Sequence, residues 1–369
     1  MQESLIKILD EYHSHLPLER ASTIPAAWYS DSRISELENQ SVFGGTWQVV
    51  ARVDQLGQPG AYVTANLAGE PIVIVRGQDR ELRGFFNVCR HHAAAVMTET
   101  QGTCTVMQCP YHAWTYALDG SLKGMPDWEG VCDFDKRDFG LVPIRIATWE
   151  NFVFANLGSG ADTLDAFLGD MPERIAPLKL TDLKFFERRS YDLNCNWKVY
   201  VDNYLDGGYH VPHLHKGLNT VLDYSEYKIE TKGNYCLQWS PMTPGKDANT
   251  ASVRRGETAY YYWVYPNFML NWYEGVMDTN LVLPLGVDRC RVIFDFFFAD
   301  VGPNALDHNQ RSIAVGERVQ QEDIDVCESV QRGLKSRAYN TGRLSVRREA
   351  GEQQFHRLLH ADLIKELSK

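Results

Sequence analysis

The stretch VCRHHAAAV, residues 88–96, places one thiol and two imidazoles within four positions and follows them with an apolar run. A second short group, CPYH, occupies residues 109–112 and leads into AWTYALDGSL. The pattern is Cys89-x-His91, seventeen intervening residues, then Cys109-x-x-His112. Two Cys/His groups at such spacing point to a metal, and the kind of metal decides the fold of this part of the chain.

A structural zinc site is one reading. Zinc ribbons and fingers, however, pair Cys-x2–4-Cys with His-x3–5-His, whereas here each group supplies one of each. That symmetry suits a two-iron cluster in which two thiolates hold one iron and two imidazoles the other, the Rieske arrangement. Exchanging two anionic thiolates for neutral imidazoles removes charge and raises the reduction potential. His92 then packs or hydrogen-bonds locally, and Cys104 is a core thiol.

Around this pattern, residues 47–157 read as short strands and turns. AYVTANLAGEPIVIVRG (61–77) has a hairpin rhythm broken at Gly-Glu-Pro, WTYALDGSL (114–122) sets Asp119-Gly120 between two strand-like pieces, and PIRIATWENFVFANL (143–157) adds two apolar runs. After Gly158-Ser159-Gly160 the texture changes. WKVYVDNYLDGGYH (197–210) reads as a helix, 260–283 as aromatic-rich strands followed by RVIFDFFFAD (291–300), and 313–334 as one long helix. The expectation is an α+β chain: an N-terminal segment 1–45 packing on either domain, a β-rich domain 46–157, and a domain 158–369 with an antiparallel sheet and flanking helices.

Composition narrows the function. At 369 residues two domains are expected, and a net charge of −11 argues against a nucleic-acid or anionic-membrane surface. No apolar run reaches the length of a membrane span, and MQESLIKILDEYHSH lacks the build of a secretion signal. Eight scattered cysteines in a chain of this size suggest free thiols in a reducing compartment.

A second metal constellation lies downstream. NWKVYVDNYLDGGYHVPHLH (196–215) carries His210, His213 and His215, and VQQEDIDVCESVQRGL (319–334) carries the carboxylates that matter. At about 100° per residue, Val319, Val326, Val330, Leu334 and Cys327 share one apolar stripe. Asp323 falls near its middle, Glu322 at its edge, and Asp325 and Glu328 face the polar side. A carboxylate aimed into a core must meet a cation or take up a proton. A buried arginine is one partner; a metal is another. Two histidines and one carboxylate form the facial triad of non-haem Fe(II) oxygenases, which leaves positions open for O2 and substrate.

With CRHH, CPYHAWTYALDGSL, NWKVYVDNYLDGGYHVPHLH, YPNFMLNWY (265–273), MDTNLVLPLG (277–286) and EDIDVCESVQRGL (322–334) on the page, the chain resembles the α subunits of Rieske non-haem iron oxygenases over nearly its full length. Its motifs look most like the choline monooxygenase type, whose bacterial relatives act on quaternary ammonium compounds. The resemblance implies a β-rich Rieske [2Fe-2S] domain and a helix-grip catalytic domain. It implies that Cys89, His91, Cys109 and His112 hold the cluster, and that His210, His215 and Asp323 hold a mononuclear Fe(II). The His-x4-His spacing selects His215 over His213.

In that family, chains stand head-to-tail in a ring, a homotrimer or a multiple of it, and electrons cross between subunits. A carboxylate at the joint links a cluster histidine of one chain to an iron-ligand histidine of the next. Most relatives carry it three residues before the first iron histidine, which here is Gly207. Asp206, one helical turn from His210, takes the role, as in choline-type members, with Asp202 as the second choice. Asn203 is expected to line the pocket. The implied reaction is a monooxygenation, choline to betaine aldehyde hydrate, with N- or O-demethylation or ring hydroxylation as the family's alternatives. A Rieske electron carrier without oxygenase activity is the non-enzymatic alternative.

AYYYWVYPNFMLNWY (259–273) holds eight Tyr, Trp and Phe residues in fifteen positions. On a strand, Tyr261, Trp263 and Tyr265 share one face and Tyr260 and Tyr262 the other. Such rings form either a cation–π cage for a trimethylammonium group or ordinary core. No Gly-x-Gly-x-x-Gly follows a strand, so electrons are expected from a separate ferredoxin or NAD(P)H-dependent reductase. A cytoplasmic location is expected, with a processed plastid stromal form as the alternative.

Overall fold

The computed structural model describes residues 2–158, 160 and 162–369. The chain divides into two compact units, Phe43–Leu164 and Met1–Val42 together with Asp165–Lys369.

The first unit is built from strands β1 (Gln48–Arg52), β2 (Ala61–Leu67), β3 (Glu70–Arg76), β4 (Leu82–Phe86), β5 (Gln101–Thr103), β6 (Met107–Gln108), β7 (Thr115–Tyr116), β8 (Leu122–Gly124), β9 (Pro143–Trp149) and β10 (Phe152–Asn156). They form a seven-stranded sheet in the order β1-β10-β9-β4-β3-β2-β5 and a three-stranded sheet β6-β7-β8. The β2–β3 hairpin turns at Ala68-Gly69, where both residues have positive φ, as its tight two-residue loop requires. The Glu70-Pro71 pair, read from sequence as part of the break, already belongs to β3. β3 is buried on both faces. Val73 and Val75 enter the core that contains Cys89 and Cys109, while Ile72 and Ile74 enter the core built on Val153 and Ala155. That explains its unbroken apolar run.

The second unit holds strands β11 (Lys184–Leu193), β12 (Lys228–Lys232), β13 (Tyr235–Pro241), β14 (Thr258–Val264), β15 (Phe268–Tyr273), β16 (Val276–Gly286) and β17 (Arg289–Phe298). They make one antiparallel sheet in the order β11-β17-β16-β15-β14-β13-β12. Its helices are α1 (Gln2–Asp10), α2 (Ala27–Ser30) and α3 (Ser32–Glu38) from the N-terminal segment; α4 (Leu164–Leu168), the first turn of which marks the join between units, and α5 (Met171–Ile175); then α6 (Trp197–Leu205), α7 (Ala248–Val253), α8 (Leu306–Leu334) and α9 (Ala350–Leu367). Among the described residues no helix is long and apolar enough to cross a membrane.

Three details differ from the sequence expectation. α6 stops at Leu205 instead of running to His210, because Gly207 and Gly208 take left-handed φ values of 67° and 68°. α8 begins at Leu306, earlier than 313, since its first turns are polar and show no apolar period. On α8, Val330 is exposed. The buried line instead follows Gln320, Asp323, Cys327, Gln331 and Leu334. Gln331 holds a core position because its side-chain oxygen accepts the Asn196 backbone N–H at 2.7 Å, just ahead of α6.

The N-terminal segment, as far as Val42, belongs to the second unit. It reaches α6 from outside. Glu38 accepts from Trp197 Nε1 at 2.8 Å and pairs with the fully buried Lys198 at 2.5 Å, while the Tyr29 hydroxyl donates to Asp202 at 2.5 Å. Removing one partner of a buried pair such as Lys198–Glu38 costs about 3–5 kcal/mol, because a desolvated charge is left behind.

Two candidate metal centres

The two Cys/His loops of the first unit fold alike. Ala93 N–H donates to Cys89 O at 3.0 Å and Cys89 N–H to Ala94 O at 2.8 Å; Ala113 N–H donates to Cys109 O at 3.0 Å and Cys109 N–H to Trp114 O at 2.9 Å. Ala93 and Ala113 both take positive φ, at 62° and 54°, a conformation uncommon outside glycine. Each loop thereby buries a cysteine and carries its histidine beyond it. The His91 and His112 rings lie 4.8 Å apart, and His91 stacks on Trp114 at 4.7 Å. His92 sits beside them, its ring 4.0 Å from that of His91, so all three histidines offer nitrogens within 4.8 Å of one another.

Three observations fit a Rieske cluster to this site. Nδ1 of His91 is buried and has no hydrogen-bond partner among the described residues, a lone pair that a metal would satisfy. Burial, then the neighbouring His92 and His112, lowers the His91 pKa and keeps the ring neutral. The Tyr116 hydroxyl accepts the Arg90 backbone N–H at 3.0 Å, which leaves its own hydrogen for Cys89 Sγ at 3.3 Å. Cys104 is half-buried and packs against the same core.

In the second unit, the break after α6 builds the other site. Asp206 ends the helix. One of its oxygens accepts the Tyr209 backbone N–H at 3.0 Å, and the other accepts both the His210 backbone N–H at 3.0 Å and His210 Nδ1 at 2.6 Å. The contact expected from helical spacing is thus made by a turn. A Cβ on Gly207 would lie 2.1 Å from the Arg348 carbonyl oxygen, on a backbone already at positive φ. That position cannot carry a carboxylate without rebuilding the loop, and Asp206 supplies it one residue earlier. Asp202, the second choice, is bound elsewhere, to Tyr29 and to His356 Nε2 at 3.0 Å.

His210 Nε2 and His215 Nε2 lie 2.9 Å apart, and Asp323 Oδ1 is 3.2 Å from His215 Nε2 and 3.9 Å from His210 Nε2. Asn203 donates to Asp323 Oδ1 at 2.8 Å. His213 is exposed and stands outside this group. A neutral imidazole carries a single N–H. Nδ1 of His210 faces Asp206, and Nδ1 of His215 faces Glu322 Oε2 at 2.7 Å, so the hydrogens belong there and both Nε2 atoms present lone pairs. Two lone pairs and a carboxylate oxygen this close repel one another unless a cation lies among them. Burial alone would lower the His210 pKa, but the charge and hydrogen bond of Asp206, then the charge of Asp323, reverse that and raise it. The donor set fits Fe(II), and the carboxylates behind both histidines fix the tautomers.

Glu322 is the participant that sequence reading placed only at the edge of a stripe. Its bond to His215 depends on where a loop 107 residues away lands; its one sequence signal is adjacency to Asp323 on the same helix. A Glu322→Ala change is expected to weaken Fe(II) affinity about 10–100-fold, read by anaerobic iron titration, with the cluster's EPR signal unchanged.

The triad opens onto a cavity of about 110 Å³ lined by Tyr204, Tyr227, Tyr261, Tyr273, Phe294 and Asn203 among others. Of the face-sharing aromatic trio, Tyr261 alone lines it. Trp263 packs against Phe355 of α9 at 5.6 Å and donates to Pro266 O, and Tyr265 lies past the end of β14 and bonds Asp362.

A β-rich unit with two matching Cys/His loops and a sheet-and-helix unit with two histidines facing one carboxylate together define an iron-dependent oxygenase that carries its own electron store. Residues 46–135 match the Rieske [2Fe-2S] domain family, and residues 180–363 match the catalytic domain of the ring hydroxylating alpha subunit family. The chain is 39% identical to choline monooxygenase, chloroplastic, of Arabidopsis thaliana over 97% of its length and 86% of the relative's. It is 33% identical to the carnitine monooxygenase oxygenase subunit of Escherichia coli (strain K12), with coverages of 92% and 94%. A solved quaternary ammonium Rieske monooxygenase, described in terms of carnitine oxidation and inter-subunit electron transfer, superposes with a TM-score of 0.85 at 30% identity, covering 94% of this chain and 98% of that one. The chain belongs to the Rieske non-haem iron oxygenases, as the α subunit of an oxidoreductase with a Rieske cluster and a mononuclear iron site.

Proposed function

We propose that the chain is the terminal oxygenase component that hydroxylates a small quaternary ammonium compound, choline first, by the reaction R–H + O2 + 2 electrons + 2 protons → R–OH + H2O. On choline's alcohol carbon the product is betaine aldehyde hydrate. The choline and carnitine monooxygenase relatives support the substrate class, as does an aromatic-walled cavity suited to a trimethylammonium group. The observation that carries the reading is the convergence of His210, His215 and Asp323, three acceptors without a donor among them, at the mouth of that cavity.

In this reading Cys89, His91, Cys109 and His112 hold the cluster, and His210, His215 and Asp323 hold the iron, which when bound supplies O2 activation. The protein's own groups do the rest. Asp206 and Glu322 keep the Nδ1 hydrogens, so that both Nε2 lone pairs face the metal. Asn203 holds Asp323 in place, and tyrosines wall the cavity beside it. Asp206 joins His210 to a cluster histidine of a neighbouring subunit in a head-to-tail homotrimer, a role supported by the inter-subunit electron transfer described for the solved relative. A separate ferredoxin or NAD(P)H-dependent reductase supplies the electrons. Chloroplastic and bacterial relatives support a plastid stroma or a cytoplasm as the location.

In the second reading the same site hydroxylates an N-methyl carbon and the hemiaminal formed loses formaldehyde; the pose of the substrate alone separates the two. Dithionite-reduced protein is expected to be brown, with a Rieske EPR signal and a second, labile iron; with reductase, choline is expected to drive O2 uptake and yield betaine aldehyde. Formaldehyde would select the second reading, and a colourless zinc protein would end both.

A further inference from the structure

We infer that Asp278 is the counter-charge that selects a permanently cationic substrate, and that Arg254 beside it is a fixed clamp and not a receptor for a substrate carboxylate. This rests on the quaternary ammonium reading above and adds which charge is recognised and which is refused.

Gln238, Tyr261, Asn271 and Asp278 stand in register across β13, β14, β15 and β16, one row of side chains on the sheet face that floors the cavity. The row is internally bonded. Tyr227 OH donates to Gln238 Oε1 at 3.2 Å, Tyr204 OH to Asn271 Oδ1 at 2.8 Å, and Asn271 Nδ2 to Asp278 Oδ2 at 2.7 Å, while the Tyr261 and Tyr273 hydroxyls pair at 2.8 Å. These bonds fix the orientation of four tyrosine rings around the space.

Asp278 lines the cavity at the end of this row and is 5% exposed. Asn271 bonds one of its oxygens. The other lies 3.8 Å from Arg254 Nη2, an ion pair too long for a hydrogen bond. Burial raises its carboxyl pKa, against the lowering effects of Arg254 and Asn271, so the site gains by drawing in positive charge. A trimethylammonium group has no hydrogen to donate. It needs a charge at van der Waals distance and aromatic faces, and both are present here.

Arg254 is the one permanent cation among the described residues lining this cavity. It is 5% exposed, stacks on Tyr273 at 4.9 Å, and donates from Nη1 to Ser312 Oγ at 2.5 Å and from Nη2 to Ser312 O at 3.4 Å. Anchored in this way, its guanidinium is committed to Ser312 of α8 and to the Tyr273 face. A substrate carboxylate would add a second buried anion beside Asp278, at the cost of an unpaired charge.

The test compares kcat/KM for choline, its neutral carbon isostere 3,3-dimethylbutan-1-ol, and L-carnitine, using reductase-coupled holoenzyme. Wild type is expected to favour choline over the isostere by about a hundredfold and over carnitine by about tenfold or more. In Asp278→Asn the choline-to-isostere ratio is expected to fall to within a few-fold, chiefly through the KM for choline, with iron content and cluster EPR unchanged. A retained ratio in D278N, or equal use of carnitine and choline by wild type, overturns the inference. The wild-type ratios decide the matter if D278N does not fold. Absence of O2 uptake with any trimethylammonium compound overturns the parent reading, and this one with it.

Discussion

Asp323→Ala protein is expected to purify brown, with its reduced cluster giving an unaltered EPR signal, and to turn over no substrate. The carboxylate is 8% exposed and lies within 3.9 Å of both Nε2 atoms. Without it, two neutral donors remain and the anionic ligand of the set is gone, so Fe(II) is held weakly. Losing even a hydrogen-bond partner of a metal ligand costs about 10–100-fold in affinity or activity, so losing the ligand itself should cost more. The fall should appear as missing iron after gel filtration and as O2 uptake at the level of the substrate-free control. Asp323→Asn, which keeps the size of the side chain and its contact with Asn203, separates loss of charge from loss of packing. Surviving turnover in both variants would mean that the iron lies elsewhere.

The second large effect concerns Asp206. Its alanine variant is expected to keep the cluster, to bind Fe(II) about 10–100-fold more weakly and, once loaded with Fe(II), to lose about a hundredfold or more in turnover, with slow oxidation of the reduced cluster in single-turnover mixing with O2 and substrate. The side chain both ends α6 and holds the His210 ring. Asp206→Asn keeps the size of the side chain and one acceptor oxygen for the turn, so a cluster oxidation rate that stays slow in that variant, with Fe(II) bound, assigns the defect to the lost charge and not to a loosened loop. Normal cluster oxidation in both variants would remove Asp206 from the path between the two centres.

The Cys/His loops were legible because their spacing is local: four Cys and His residues within 24 positions. Asp323 was legible because a carboxylate on an apolar stripe has few reasons to be there. The end of α6 was also present, in Gly207-Gly208, and reading a helix through two glycines gave apolar period more weight than backbone preference. Alternation on β14 correctly grouped Tyr261 with Trp263. It could not show that α9 covers one and a cavity faces the other. Asp278 and Arg254 gave no local signal at all. Their meeting depends on the register of β16 against β15 and on where Ser312 of α8 anchors the guanidinium. Long-range pairing of this kind is set by tertiary structure alone.

The iron-binding unit is interrupted in sequence, its first forty-two residues separated from the remainder by the whole of Phe43–Leu164. Tyr29 and Glu38 therefore wait, during synthesis, for Asp202, Trp197 and Lys198, more than 150 positions later. The β-rich unit leaves the ribosome complete while the larger part of its host is still to be made, and domains fold as units as they emerge. Assembly is thus ordered by the chain itself: the β-rich unit can close before Asp323 has been made, and the oxygen-reactive centre only after it.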